Sequence, residues 1–175
     1  HADADHIDGL NDVVTNFNVR SALVGRTPSA DPEFARLAET LRARAVPLQT
    51  LQAGDVLRFG EIQIDVLWPP GANADAPSRN NDSVVLRVRF GRRTILFTGD
   101  IEKAAEQFFS TPDRVHSDVV KVPHHGSRTS STEAFVTAVQ PKLAVISVGQ
   151  KSMFGHPHRE VVERWQAIGA EVLTT

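Results

Sequence analysis

Thr94-Ile95-Leu96-Phe97-Thr98-Gly99-Asp100 reads as a strand that stops at a glycine and hands a carboxylate to the segment after it. A helix pattern follows over 101–110, then a second apolar strand over 118–122. That strand also ends in polar residues, Pro123-His124-His125-Gly126-Ser127. A third, over 143–148, leads to Gly155-His156-Pro157-His158, a helix over 159–168 and a last strand over 171–174. Alternating strands and helices define an α/β fold. Asp100, the His124-His125 pair and His156 each follow a strand's C-terminal end, the edge where open α/β sheets bind ligands.

The sequence before this stretch is hairpin-rich. Strands over 83–90 and 94–98 flank Gly91-Arg92-Arg93, and shorter strands fit 48–51, 55–59 and 62–68. A loop rich in Ala, Asn, Asp and Pro runs over 69–82. Asp31-Pro32-Glu33 starts a helix with a capping carboxylate and proline at its first position, ending near 45. Ile7, Leu10, Val13, Val14 and Phe17 repeat at helical spacing, and 19–24 is a short buried strand. The sheet is therefore expected to be mixed, within one domain over 1–175.

The first six residues, His1-Ala2-Asp3-Ala4-Asp5-His6, contain four possible metal donors. Their spacing suits a sharply turning loop at a strand end, where side chains converge. Imidazole with carboxylate favours borderline divalent ions such as zinc, manganese or iron. Six of the seven histidines fall in three short clusters, leaving His116 alone as a surface residue. Such clustering of the one metal-binding side chain that titrates near neutrality points to a site.

Composition narrows the classes. The chain has 175 residues, 41% of them hydrophobic and 23% charged, as expected of a globular domain with a real core. No apolar run approaches the roughly 20 residues that span a bilayer. A net charge of −2 gives no global basic field for nucleic acid, although Arg87, Arg89, Arg92 and Arg93 lie close together. Without cysteine, disulfides and thiolate zinc sites are excluded.

Each candidate has a plainer reading. Asp100 could cap the next helix. Adjacent His124 and His125 would point opposite ways if extended, so one of them is the expected ligand, His125 first and His124 second. Ser127, Arg128 and Ser130 could be turn and cap residues, Ser130 forming a capping box with Glu133. They also place hydroxyls, a guanidinium and free N–H groups at a helix start, a natural phosphate site. His156 could cap a helix, and Asn80 could be a loop residue. Taken together, three histidine clusters and a Gly-Asp at strand ends favour a site.

At these residues the chain resembles a known family. His1-Ala2-Asp3-Ala4-Asp5-His6 looks like the His-x-His-x-Asp-His motif of metallo-β-lactamase-fold hydrolases, and Phe97-Thr98-Gly99-Asp100 resembles their bridging aspartate. Lys121-Val122-Pro123-His124-His125-Gly126-Ser127 and Gly155-His156-Pro157-His158 are similar to the C-terminal domain of ComEC-type DNA-uptake proteins. The likeness runs along essentially the whole chain. It implies an αββα sandwich with a mixed sheet, its N-terminal strand block missing here. Asp3 stands where the superfamily has a second histidine, which moves the preference from zinc towards manganese or magnesium. The histidine expected before the strand at 83 is absent, and Asn80 is its nearest substitute.

The resemblance implies a metal-dependent nuclease that degrades the non-imported DNA strand during natural competence. Its metal ligands would be His1, Asp3, Asp5, His6, Asp100 and His125, holding one or two divalent ions, manganese favoured and zinc or magnesium possible. Asp5 would orient the attacking water, and His156 would protonate the leaving oxygen. Ser127, Arg128 and Ser130 would hold a phosphate of DNA, single strands favoured. No small organic cofactor is expected. The parent would be a polytopic membrane protein, with this domain on the extracytoplasmic side. The rival readings are a lactonase or thioesterase of the same superfamily and a non-catalytic DNA-docking module.

Overall fold

The computed structural model describes residues 1–25, 31–71, 80–150 and 152–175. Most of the loop expected over 69–82 lies outside the described residues. The elements run α1 (Ala4–Asn16), β1 (Ala22–Val24), α2 (Pro32–Ala43), β2 (Leu48–Thr50), β3 (Val56–Phe59), β4 (Ile62–Trp68), β5 (Val85–Phe90) and β6 (Arg93–Phe97). After these come α3 (Lys103–Glu106), α4 (Pro112–Val115), β7 (Val119–Lys121), α5 (Glu133–Val139), β8 (Leu143–Ile146), α6 (Arg159–Ala167) and β9 (Glu171–Thr174).

Seven strands form one mixed sheet in the order β3-β4-β5-β6-β7-β8-β9. The pairs from β3 to β6 are antiparallel, as short hairpin turns allow. From β6 to β9 they are parallel, because a helical crossover intervenes each time. β1 and β2 make a separate parallel pair.

The parallel half positions the site. Leu96, Val120 and Ala144 share one face through their register and are fully buried. Phe109, Phe135 and Trp165 from the connecting segments close over them. A smaller apolar cluster joins Ile7 and Val14 of α1 to Phe34, Leu37 and Leu41 of α2. Another face of the hairpin half remains open: Phe59, Ile62 and Phe90 lie in one cross-strand row and are exposed.

Local chemistry explains where elements begin. The Asp31 carboxylate accepts the Phe34 N–H at 3.0 Å, with Pro32 opening α2. α1 starts earlier than the apolar periodicity suggests, at Ala4, so Asp5 and His6 lie in its first turn rather than in the sharply turning loop expected. The helix expected over 101–110 is divided into α3 and a 3-10 turn at Gln107–Phe109. α5 is capped by Thr132, whose hydroxyl accepts the Phe135 N–H, and not by Ser130.

Candidate metal centre

Three strand ends and the start of α1 converge at one edge of the sheet. Asp100 follows β6 through Gly99, whose φ of 55° suits a residue without a side chain. A Cβ on Gly99 would lie 2.5 Å from the Ser83 Cβ, so close approach of the two segments also requires glycine. That approach lets the buried Ser83 hydroxyl accept the Asp100 N–H at 2.8 Å and meet His1 Nδ1 at 3.0 Å. One hydroxyl thus ties two candidate ligands together.

The second strand end is a sharp turn. His124 and His125 both have positive φ, 49° and 52°, a conformation uncommon for non-glycine residues and concentrated at functional sites. The His124 N–H donates to Gly99 O at 3.2 Å, and the Ser127 N–H donates to His124 O at 2.8 Å. Gly126, with φ 81°, lets Pro157 pack where a Cβ would come within 2.7 Å of the proline ring. This contact fastens Pro157 to the turn.

The turn separates the two histidines. His125 Nε2 lies 3.2 Å from Asp100 Oδ2, 3.3 Å from His6 Nε2 and 3.5 Å from Asp5 Oδ2. His6 Nε2 is 3.1 Å from Asp100 Oδ2 and 3.7 Å from Asp5 Oδ2. Ligands of one tetrahedral ion, each about 2.0–2.2 Å from it, stand roughly 3.2–3.6 Å apart. His6, Asp100 and His125 therefore stand at the spacing of ligands to one divalent ion, and Asp5 approaches the two imidazoles from the open side. Nδ1 of His125 donates to the Ser147 carbonyl at 2.6 Å, so Nε2 is the nitrogen that would turn a lone pair to a metal once its own proton is lost.

Among the described residues, a second overlapping donor group contains His1, His6 and Asp100. His1 Nε2 lies 3.9 Å from Asp100 Oδ2 and 3.6 Å from Asp3 Oδ2. Asp3 and Asp5 are more than half exposed and His1 is nearly enclosed, so the centre opens on its carboxylate side.

The Asp100 carboxylate is buried, which alone would raise its pKa. Hydrogen bonds from His125 and His6, with the Lys121 ammonium beyond, instead hold it well below the usual carboxylate range. Asp100 in turn raises the His125 imidazole, against the effect of burial. Burial pushes the Lys121 amine down, although its Nζ reaches Gly99 O at 3.0 Å and Asp100 Oδ1 at 3.5 Å. Asp100 thus turns Oδ1 to a fixed cation and Oδ2 to the donor cluster.

Of the expected ligands, His1, Asp3, Asp5, His6, Asp100 and His125 are brought together. His124 is not; its Nδ1 faces Glu102 Oε1 at 3.3 Å and Thr129 Oγ1 at 3.2 Å. Asn80 does not stand in for the missing histidine, because its amide donates to the same Glu102 oxygen at 3.2 Å. His156 lies beside the centre, its ring 5.7 Å from His124 and stacked on Phe154 at 5.8 Å.

The expected phosphate cradle is corrected. Ser130 is buried, and its hydroxyl lies within hydrogen-bond distance of the Pro123 and Ser127 carbonyls. Ser127 is buried too, bonded to Thr129. The N–H groups of Ser131 and Thr132, before α5, donate to the Glu106 carboxylate at 2.5 and 2.8 Å. An internal anion already occupies the position proposed for phosphate. Arg128 remains exposed, paired with Glu160 at 3.1 Å. Sequence reasoning also missed Ser83 and Lys121 as partners of Asp100, although Lys121 opens the motif that runs to Ser127.

The chain belongs to the metallo-beta-lactamase superfamily, whose sequence profile matches residues 1–150. The superfamily binds divalent metals, and its fold is generally that of metal-dependent hydrolases. The whole chain aligns with ComE operon protein 3 of Bacillus subtilis (strain 168), 34% identical over 176 residues and covering 22% of that protein. Competence protein ComA of Neisseria gonorrhoeae is 38% identical over 98 residues, 55% of this chain and 14% of that protein. These relatives are of the ComEC type. The chain spans between 11% and 22% of the curated relatives it matches. Among solved structures, the metallo-beta-lactamase fold protein YhfI from Bacillus subtilis shares the fold, with a TM-score of 0.58 at 11% identity. That match covers 100% of this chain and 71% of YhfI.

Proposed function

We propose that the chain is the metal-dependent nuclease domain of a DNA-uptake protein and hydrolyses phosphodiesters of the strand that is not imported. The observation that carries this is that His6, Asp100 and His125 lie 3.1–3.3 Å from one another, with Asp5 3.5–3.7 Å from both imidazoles. Relatives named for competence supply the biological setting. Two imidazoles and two carboxylates suit zinc or manganese, and Asp3 at the rim adds a hard donor that favours manganese.

Held by these residues, a divalent ion would supply a water of lowered pKa and charge stabilisation for the phosphoryl group. The chain's residues do the rest. Asp5, at the open side, orients the water. Asp100, locked by Ser83 and Lys121, fixes the charge that holds the ion. His156, beside His124 at the same edge, gives a proton to the leaving oxygen. No described helix is long and apolar enough to cross a membrane. The parent we infer is a polytopic membrane protein carrying this domain on its extracytoplasmic side.

Digestion of single- and double-stranded DNA with manganese, magnesium, zinc or chelator tests the reading. Manganese-dependent cleavage, faster on single strands, is expected. A second reading, a lactonase or thioesterase, is favoured by one observation: Glu106 fills the place of the expected phosphate cradle, which such an ester substrate would not need. Turnover of such esters with intact DNA would establish that alternative. Loss of metal from the purified chain, with DNA binding retained, would instead support a docking module.

A further inference from the structure

The loop between β8 and α6 exposes its most apolar side chains. Met153 is 93% exposed and Phe154 75%, beside the edge that carries the donor cluster. The loop around them is held in shape: the Gly155 N–H donates to Ser152 O at 3.2 Å, and the His156 N–H to Ser152 Oγ at 3.2 Å. Gly155, at φ 68°, makes the turn that sets Phe154 outward. The Phe154 ring lies nearly parallel to the His156 ring, at 29° and 5.8 Å between centroids. One face is therefore backed by an imidazole, while the side chain as a whole remains largely open to solvent.

A single open groove connects this ring with the donor cluster. Asp5 and His125 line one part of it, Val148 and Gly149 another, and Met153 and Phe154 a third. A polymer held at the donors by one phosphodiester would run its neighbouring residue along this groove.

We propose that Phe154, backed by His156, is a stacking platform for a nucleobase adjacent to the scissile phosphate. This rests on the nuclease reading above and adds how substrate is selected. An aromatic face recognises the π-face of any base, so binding would tolerate sequence. A base paired in a duplex has no free face to offer, so the platform selects single strands. The flexible, polarisable Met153 side chain supplies apolar contact at the edge of the stacked ring.

The test compares two probes on the manganese-loaded chain, both phosphorothioate-linked to resist cleavage: an oligothymidylate of about ten nucleotides and an abasic strand of equal length. Fluorescence anisotropy should show the base-bearing strand binding about 5- to 100-fold more tightly. Phe154→Ala should lose most of that preference while keeping abasic-strand affinity and its salt dependence. Phe154→Trp should retain the preference. Unchanged preference in Phe154→Ala, or none in the wild type despite DNA binding, overturns the platform alone. Failure of both strands to bind overturns the platform and the nuclease reading together. Loss of binding to anionic vesicles in Phe154→Ala, with base preference intact, would assign the ring to a membrane surface and also overturn the platform.

Discussion

His125 Nε2 and Asp100 Oδ2 stand 3.2 Å apart, and the same oxygen lies 3.1 Å from His6 Nε2. One carboxylate oxygen therefore faces two imidazole nitrogens. These three atoms would together hold a divalent ion. Asp100→Ala should weaken manganese binding by more than the roughly 10- to 100-fold typical of losing an outer partner. His124→Ala should change it little, since His124 faces Glu102. Calorimetric titration of both variants checks the assignment; equal losses would place His124 in the centre as well.

Ser83 is the outer partner with most at stake. Its hydroxyl accepts the buried Asp100 N–H and bonds His1 Nδ1. Ser83→Ala strands that N–H, at a cost of about 1–3 kcal/mol in stability. It also frees the His1 ring, so metal affinity should fall about 10- to 100-fold. Urea unfolding with chelator separates the first effect from the second, which a metal titration reads. A normal titration would show that Ser83 supports the fold only.

Glu106 should matter to stability rather than to chemistry. Its two oxygens take the Ser131 and Thr132 N–H groups, which Glu106→Ala would leave without partners. The expected loss is about 2 kcal/mol or more. Burial raises the Glu106 carboxyl above its ordinary value, and the hydrogen bonds and Arg164 offset this only in part. The folded chain then binds more protons than the unfolded one between the ordinary glutamate value and the raised one. Stability from this group is complete below that window and declines as pH rises through it. Glu106→Gln should remove that decline, as urea midpoints across the window would record.

The donor cluster was legible in the sequence because chemistry-bearing residues followed apolar runs, and parallel strands bring their C-terminal ends to one edge. Asp100 and the His124-His125 pair were placed that way. Which histidine turns inward was not legible, since it depends on two positive φ angles that no local propensity announces. The phosphate cradle failed for a tertiary reason. Glu106 lies inside a segment read only as a helix, and nothing local shows that its carboxylate reaches the start of α5. Ser130 looked like the cap because Glu133 stands three residues on, as in a capping box; its hydroxyl instead reaches the Pro123 and Ser127 carbonyls, and Thr132 caps α5.

His156 carries the last prediction. It lies outside both donor groups, so His156→Ala should leave manganese affinity near normal. As the proton donor to the leaving oxygen, its loss should lower kcat by about 10²–10⁴-fold. Burial holds its imidazole below the ordinary histidine value, and nearby His158 and His124 push in the same direction. An acid must be protonated to act, so the wild-type rate should fall as pH rises through that lowered value, on the acid side of 6.5. That limb of the profile should vanish in His156→Ala. An activated phosphodiester, whose leaving group needs no proton, should lose far less rate than DNA. The removal of His156 also unbacks Phe154, so a rise in KM for single-stranded DNA is expected beside the fall in kcat. Paired kcat and KM values on DNA and the activated ester, across pH, distinguish the two contributions. Equal losses on both substrates, or manganese rescue of the mutant, would make His156 a support of the metal centre instead.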